Sequence, residues 1–162
     1  LPAALDTSVT RDLETLLPVL AKFERESVAS LLGYLELRGA AGQWTDVYLW
    51  TRKLGNVPLD TDLLQKTRLL KARSLHALGL YRRLGEELAV LEESIPPIAA
   101  PPVYCWLQAV RLARQEAWSD ARFWARLPFL TIPVPRDPLM DTLAGLSADL
   151  TRRLEPTSLL QP

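Results

Sequence analysis

The sequence predicts an all-α chain: an array of about three antiparallel helix hairpins with a capping helix at each end. Three observations carry that expectation. Of 162 residues, 34 are Leu and 18 are Ala while Val and Ile are few, a balance that favours helix over sheet. The chain also matches itself at an offset of 37 residues: Trp44 falls on Tyr81 and then Trp118, Leu32 on Leu69 and Trp106, Ala72 on Ala109, Leu75 on Leu112, Leu54 on Leu91, and Pro96 on Pro133. A small or polar residue, Gly42, Gly79 or Glu116, precedes each of the three aromatics and marks a turn.

The elements follow in order within one expected domain. Residues 1–27 hold an N-terminal helix over 10–25, with Leu13, Leu16, Leu17, Leu20 and Phe23 on one face and a kink or new start at Pro18. The first repeat, 28–64, reads as helices over 28–41 and 45–54 around Gly42, closed by Pro58. In the second repeat, 65–101, Asp62 is placed to cap a helix with Gln65 as its capping-box partner, and Leu69, Leu70, Ala72, Leu75 and Leu78 follow helical spacing. Gly79 ends that helix; Leu84, Leu88 and Leu91 stripe the next, and Pro96-Pro97 stops it. The third repeat, 102–138, has Val103, Trp106, Leu107, Val110 and Leu112 along its first helix. Ser119 is expected to cap its second, which Ala121, Phe123, Trp124 and Leu127 fill until Pro128 interrupts it. Asp137 followed by Pro138 opens a last helix, with Leu139, Leu143, Leu146, Leu150 and Leu154 inward and 139–162 as cap and tail. End helices of this kind cover apolar faces that a stacked array leaves wet.

The punctuation resembles a tetratricopeptide repeat. That family has a small residue midway along its first helix, a Gly before the turn, an aromatic two residues later, an Ala in the second helix and a closing Pro. Here Ala72, Gly79, Tyr81 and Pro96 stand at those places in the second copy, and Ala109, Trp118, Ala121 and Pro133 in the third. The first copy keeps Gly42 and Trp44 but has Leu35 and Val47 at the small-residue positions. Glu116 replaces a Gly, and the period exceeds the usual one of about 34. The resemblance implies a right-handed solenoid of helix pairs whose concave face, built from the first helices, binds other proteins.

Composition excludes several classes. Nineteen cations balance nineteen anions, which gives no polybasic membrane patch and no acidic tail. A lone Cys105 excludes an internal disulfide. The densest apolar stretch, 127–134, is short and broken by Pro128 and Pro133, so no transmembrane segment is expected. Because the chain starts at Leu1 rather than Met, it reads as a processed protein or an excised piece; the expected compartment is cytoplasmic. Residues 66–126 hold ten Lys and Arg against six Asp and Glu, but the cations are spread over helices, and no nucleic-acid partner is expected.

Catalytic constellations are missing. His76 is the single histidine, so neither a His-pair metal site nor an HExxH motif is available, and no metal or other cofactor is expected. Cys105 reads as a buried structural thiol, and Asp60 and Asp62 as capping residues at a helix start. Glu86, Glu87, Glu92 and Glu93 stand near Arg82 and Arg83 on what reads as a solvated face. Trp44 and Trp118 are expected in the core.

The first-helix columns that face the groove in the resembled family select Lys66, Leu69, Arg73 and His76, then Trp106, Val110 and Arg114. Cations beside an apolar strip suit a carboxylate next to a helix or extended segment. Two alternatives stand beside this: Trp106 packed rather than exposed, and the cations as ordinary solvated side chains. The expected function is therefore a non-enzymatic scaffold binding another protein, or another segment of its parent chain, in a concave groove. The alternative is a sensory or regulatory repeat segment of a larger signalling or transcription-regulating protein. An exposed end helix could also pair with a second copy to give a homodimer.

Overall fold

A computed structural model of the chain describes residues 25–131 and 138–154. The described residues are helical, without a strand. Helix α1 spans Arg25–Ala40, α2 Trp44–Leu54, α3 Thr61–Ala77 and α4 Tyr81–Glu92; a 3₁₀ turn at Pro97–Ala99 leads to α5 (Pro102–Arg114), α6 (Trp118–Thr131) and α7 (Pro138–Leu154). The helix expected over 10–25 and the cap expected at Asp137 lie outside the described residues. By its contacts the chain divides into two compact units, 1–79 and 80–162.

Three turns share one geometry. Gly42, Gly79 and Glu116 all take the left-handed conformation, with φ of 83°, 73° and 59°. At the first and third turns the backbone makes both bonds of a Schellman cap: Gly42 N–H to Gly39 O with Gln43 N–H to Arg38 O, and Glu116 N–H to Ala113 O with Ala117 N–H to Leu112 O. Gly79 N–H bonds His76 O in the same way. The glycines take this backbone without penalty, whereas Glu116 carries a β-carbon into it.

In the first unit, Val28, Leu31, Leu32 and Leu35 of α1 meet Val47, Trp50 and Leu54 of α2 and Leu63 and Leu70 of α3. Burying each leucine contributes about 1.5–3 kcal/mol. Two threonines lie inside, yet their hydroxyls are satisfied locally: Thr51 Oγ1 donates to Val47 O at 2.8 Å, and Thr67 Oγ1 to Leu63 O at 2.8 Å. The N-cap of α3 is Asp60, not Asp62; its carboxylate accepts the Leu63 N–H at 2.9 Å, and Asp62 falls inside the first turn. The Asp-x-Asp pair offers two possible starts, and the earlier one is used.

In the second unit, α4 buries Leu84, Leu88 and Leu91. Glu87, on the same stripe, is buried too, so the expected solvated face is confined to its neighbours, where Arg82 pairs with Glu86 at 3.5 Å. Helices α5, α6 and α7 share a core of Ala109, Ala121, Ala125, Met140, Leu143 and Leu150. Three alanines there let helices approach closely. Tyr104 and Trp124 pack edge to face with ring centroids 5.4 Å apart, and the Tyr104 hydroxyl accepts from Gln108 Nε2 at 2.8 Å. The same nitrogen reaches Glu92 Oε1 at 2.8 Å, while Arg111 donates to Gln108 Oε1 at 2.8 Å, so a polar network runs from the buried Tyr104 and Gln108 out to the exposed Glu92. Three local expectations change here. Ser119 is the second residue of α6, not its cap; the helix runs through Pro128 to Thr131; and Phe123 is exposed rather than packed inside.

Candidate binding surface

Each turn places an aromatic at the start of the following helix, and each of those rings carries a guanidinium from the helix after it. Arg73 of α3 lies 5.4 Å from the Trp44 ring, Arg114 of α5 3.5 Å from Tyr81, and Arg153 of α7 4.8 Å from Trp118. A guanidinium held over a ring by a cation–π contact keeps N–H groups able to donate elsewhere. The contact thus orients the charge without using up its hydrogen bonds.

In the second unit two of these arginines border one open hollow of about 960 Å³ between α5 and α7. Its apolar lining is Val110, Ala113, Trp118, Leu146 and Leu150. Its charged lining is Arg114, Arg152 and Arg153 with the single carboxylate Asp149, which is closely ion-paired with Arg152. Among the described residues, neither Arg114 nor Arg153 has a carboxylate partner. The hollow therefore presents an apolar floor with an excess of positive charge at its edge.

The residues selected from sequence are distributed unevenly. Val110 and Arg114 line this hollow together. Trp106 is half-buried and packs against the cluster around Ala109 and Leu143, outside the lining. In the first unit Lys66 is exposed and pairs with Asp62 at 3.5 Å, Leu69 is buried with 7% of its surface accessible, Arg73 stacks on Trp44, and His76 is half-buried. Trp44 and Trp118 are half-buried at the margin of the core rather than within it.

Sequence reasoning did not select Leu146, Asp149, Arg152 or Arg153, because α7 reads only as a cap, nor Trp118, because it reads as a core aromatic. A usable signal was present: an arginine 29, 33 or 35 residues after each turn aromatic, as Arg73, Arg114 and Arg153 follow Trp44, Tyr81 and Trp118.

Cys105 is fully buried, its thiol directed at Ala100 O at 3.8 Å, and burial pushes its pKa up to about 12. A thiol so far from its thiolate is a poor nucleophile. Among the described residues, no three His, Cys, Asp or Glu side chains gather as a metal site, and no helix is long and apolar enough to cross a membrane. Compared with protein-family models, curated proteins and solved structures, the chain matches none, so its function is argued from this geometry alone.

Proposed function

We propose that the protein is a non-enzymatic interaction module of the helical-hairpin, tetratricopeptide-like kind, and that it binds a peptide or helix of a partner protein, or of its own parent chain. The recurrence of helix starts at Trp44, Tyr81 and Trp118, of helix ends at Ala40, Ala77 and Arg114, and of left-handed residues at Gly42, Gly79 and Glu116 supports the hairpin-array part of this reading. Each set steps by 37 residues.

One observation carries the binding part: the α5–α7 hollow, where Val110 and Arg114 meet Trp118 and Arg153. An apolar side chain of a partner segment gains its burial against Val110, Trp118, Leu146 and Leu150. A carboxylate beside it takes charge-assisted hydrogen bonds from Arg114 and Arg153, whose guanidiniums are already oriented by their rings.

A photo-crosslinking side chain in place of Val110 tests this directly. Captured protein should map to one short segment of a partner, and capture should be lost in Arg114→Ala/Arg153→Ala while helicity is retained. Capture unchanged by that double substitution removes the hollow from the mechanism.

A further inference from the structure

The α5–α7 hollow carries its charge at one end. Arg114 is the last residue of α5 and Arg153 the last but one of α7, and both lie in the basic final turns of their helices. Trp118, which opens α6 four residues after Arg114, lies 4.8 Å from the Arg153 guanidinium. The C-terminal ends of both walls therefore meet at this turn. Asp149 is paired with Arg152, which leaves Arg114 and Arg153 as the surplus cations, one on each wall. Away from that end the lining is apolar. Val110 stands one turn before Arg114, while Leu150 and Leu146 stand about one and two turns before Arg153, the second at a rise of about 10 Å.

We infer that the occupant of this hollow is an amphipathic helix of a partner protein, running antiparallel to α5 and α7, with a carboxylate on each side of its apolar stripe in its first turn. The inference rests on the docking function proposed for the hollow and adds the form, direction and charge pattern of what docks. Form follows from the backbone. An extended segment brings unpaired N–H and C=O groups, and the floor of Val110, Ala113, Leu146 and Leu150 has no polar side chain to receive them. A helix arrives with those groups bonded. Spacing agrees, because the lining steps by three and four residues on both walls, as Val110, Ala113 and Arg114 on one and Leu146, Leu150 and Arg153 on the other. Such ridges interdigitate with those of a third helix.

Direction follows from charge. The C-terminal ends of α5 and α7 give this end of the hollow a partial negative charge on the backbone, beneath the positive side chains of Arg114 and Arg153. The N-terminus of an incoming helix complements both. Its free N–H groups face the wall carbonyls, and carboxylates in its first turn, which its own dipole already favours, reach the two arginines. The opposite direction would gather three helix C-termini and require acids in a last turn, where the dipole opposes them. Because the arginines stand on opposite walls, the carboxylates belong on opposite sides of the stripe.

The probes are fluorescein-labelled Ala/Leu peptides of about four turns, held equally helical by a lactam on the outward face. One has Glu in the first turn on both sides of the Leu stripe, one has Gln there, one has Lys there, and a composition-matched isomer has both Glu in the last turn. Fluorescence anisotropy with the full chain should show the first-turn Glu peptide binding at least fivefold tighter than the Gln peptide and at least threefold tighter than the isomer. In Arg114→Glu/Arg153→Glu the Lys peptide should bind best; both positions are exposed, so circular dichroism should show the fold retained. A benzophenone at the N-terminus of the Glu peptide should crosslink to residues 111–118 or 150–154, and one at its C-terminus to the first half of α5 or α7. Equal binding of the isomer, or crosslinks in the reverse order, overturns the inference. A proline-interrupted peptide of the same composition that binds as tightly, and is lost in Arg114→Ala/Arg153→Ala, overturns the helical occupant while leaving the hollow as a docking site. Absence of saturable binding by any peptide, or indifference to both arginines, removes the hollow reading as well. A dimer in sedimentation velocity that is lost in Arg114→Ala/Arg153→Ala, without peptide binding, overturns the inference in favour of a second copy of the chain.

Discussion

The turns at Gly42 and Glu116 share one backbone and end in different surroundings. In the first unit the indole of Trp44 lies over Gly39, so close that a β-carbon there would sit 2.6 Å from the ring. Five residues before Trp118 the chain carries Ala113, which supplies that carbon, and Trp118 lines the α5–α7 hollow instead. Before Tyr81 the same position is His76, and the Tyr81 ring is 37% exposed. Trp44 thus packs directly on a bare backbone, whereas Trp118 stands after a helix that carries a methyl at that position and lies at the edge of the α5–α7 hollow. The Schellman cap and the arginine over the ring are common to both cases, so neither distinguishes a closed turn from one that borders a hollow.

The largest expected difference between the units is in alkaline solution. The Cys105 thiol has a folded-state pKa of about 12 against an ordinary 9.0, so the folded state holds its proton more tightly than the unfolded chain. Its contribution is complete below about pH 9 and falls as pH rises towards 12, by roughly 1.4 kcal/mol per pH unit. Tyr104, raised first by burial, acts in the same direction at higher pH. Urea denaturation between pH 8 and 11 should show stability falling with this slope, and Cys105→Ala should flatten it. A native thiol that reacts with a disulfide reagent at pH 8 as fast as an unfolded one would remove the basis for the effect.

Next in size is Gly39→Ala. The added methyl must displace the Trp44 indole or the helix beneath it, a strain of about 1–3 kcal/mol. Ala113→Gly, the reverse exchange beside Trp118, should cost only about 0.5–1 kcal/mol of helix propensity. Equal midpoint shifts for the two variants would break the comparison between the turns.

A smaller effect tests the left-handed residues. Glu116→Gly should raise stability by about 1 kcal/mol by relieving the β-carbon at φ 59°, and Gly79→Ala should lower it by a similar amount. Thermal midpoints moving in opposite directions are the expected result.

Local features were legible because their causes are local. Leu84, Leu88 and Leu91 declare a stripe, and Gly42 and Gly79 declare their turns, from neighbouring residues alone. Glu116 also falls into register by spacing, although its type argues against it. What escaped the sequence was set by contacts distant along the chain. Phe123 has the hydrophobicity of a core residue, and only the placement of α6 against α5 and α7 turns it outward while Ala121 and Ala125 face in. Leu69 and Val110 occupy adjacent groove columns in the sequence, yet one is buried and the other lines a hollow. A period identifies equivalent helices; it does not specify which neighbour covers each face.

The smallest predicted effect separates stacking from recognition at Arg153. The guanidinium lies 4.8 Å from the Trp118 ring and is largely open to solvent, so the contact contributes about 0.5–1 kcal/mol. Arg153→Ala should lower stability by no more than that, a shift near the limit of a denaturation curve. Arg153→Lys keeps the charge and part of the ring contact but loses the planar array of donors. If the arginine serves only to cover Trp118, lysine should restore both stability and partner capture. If its oriented edge receives a carboxylate, stability should return with lysine while capture stays weak. Arg73 over Trp44 is the internal control, because its ring is already seated on Gly39: there Arg73→Lys should change neither quantity.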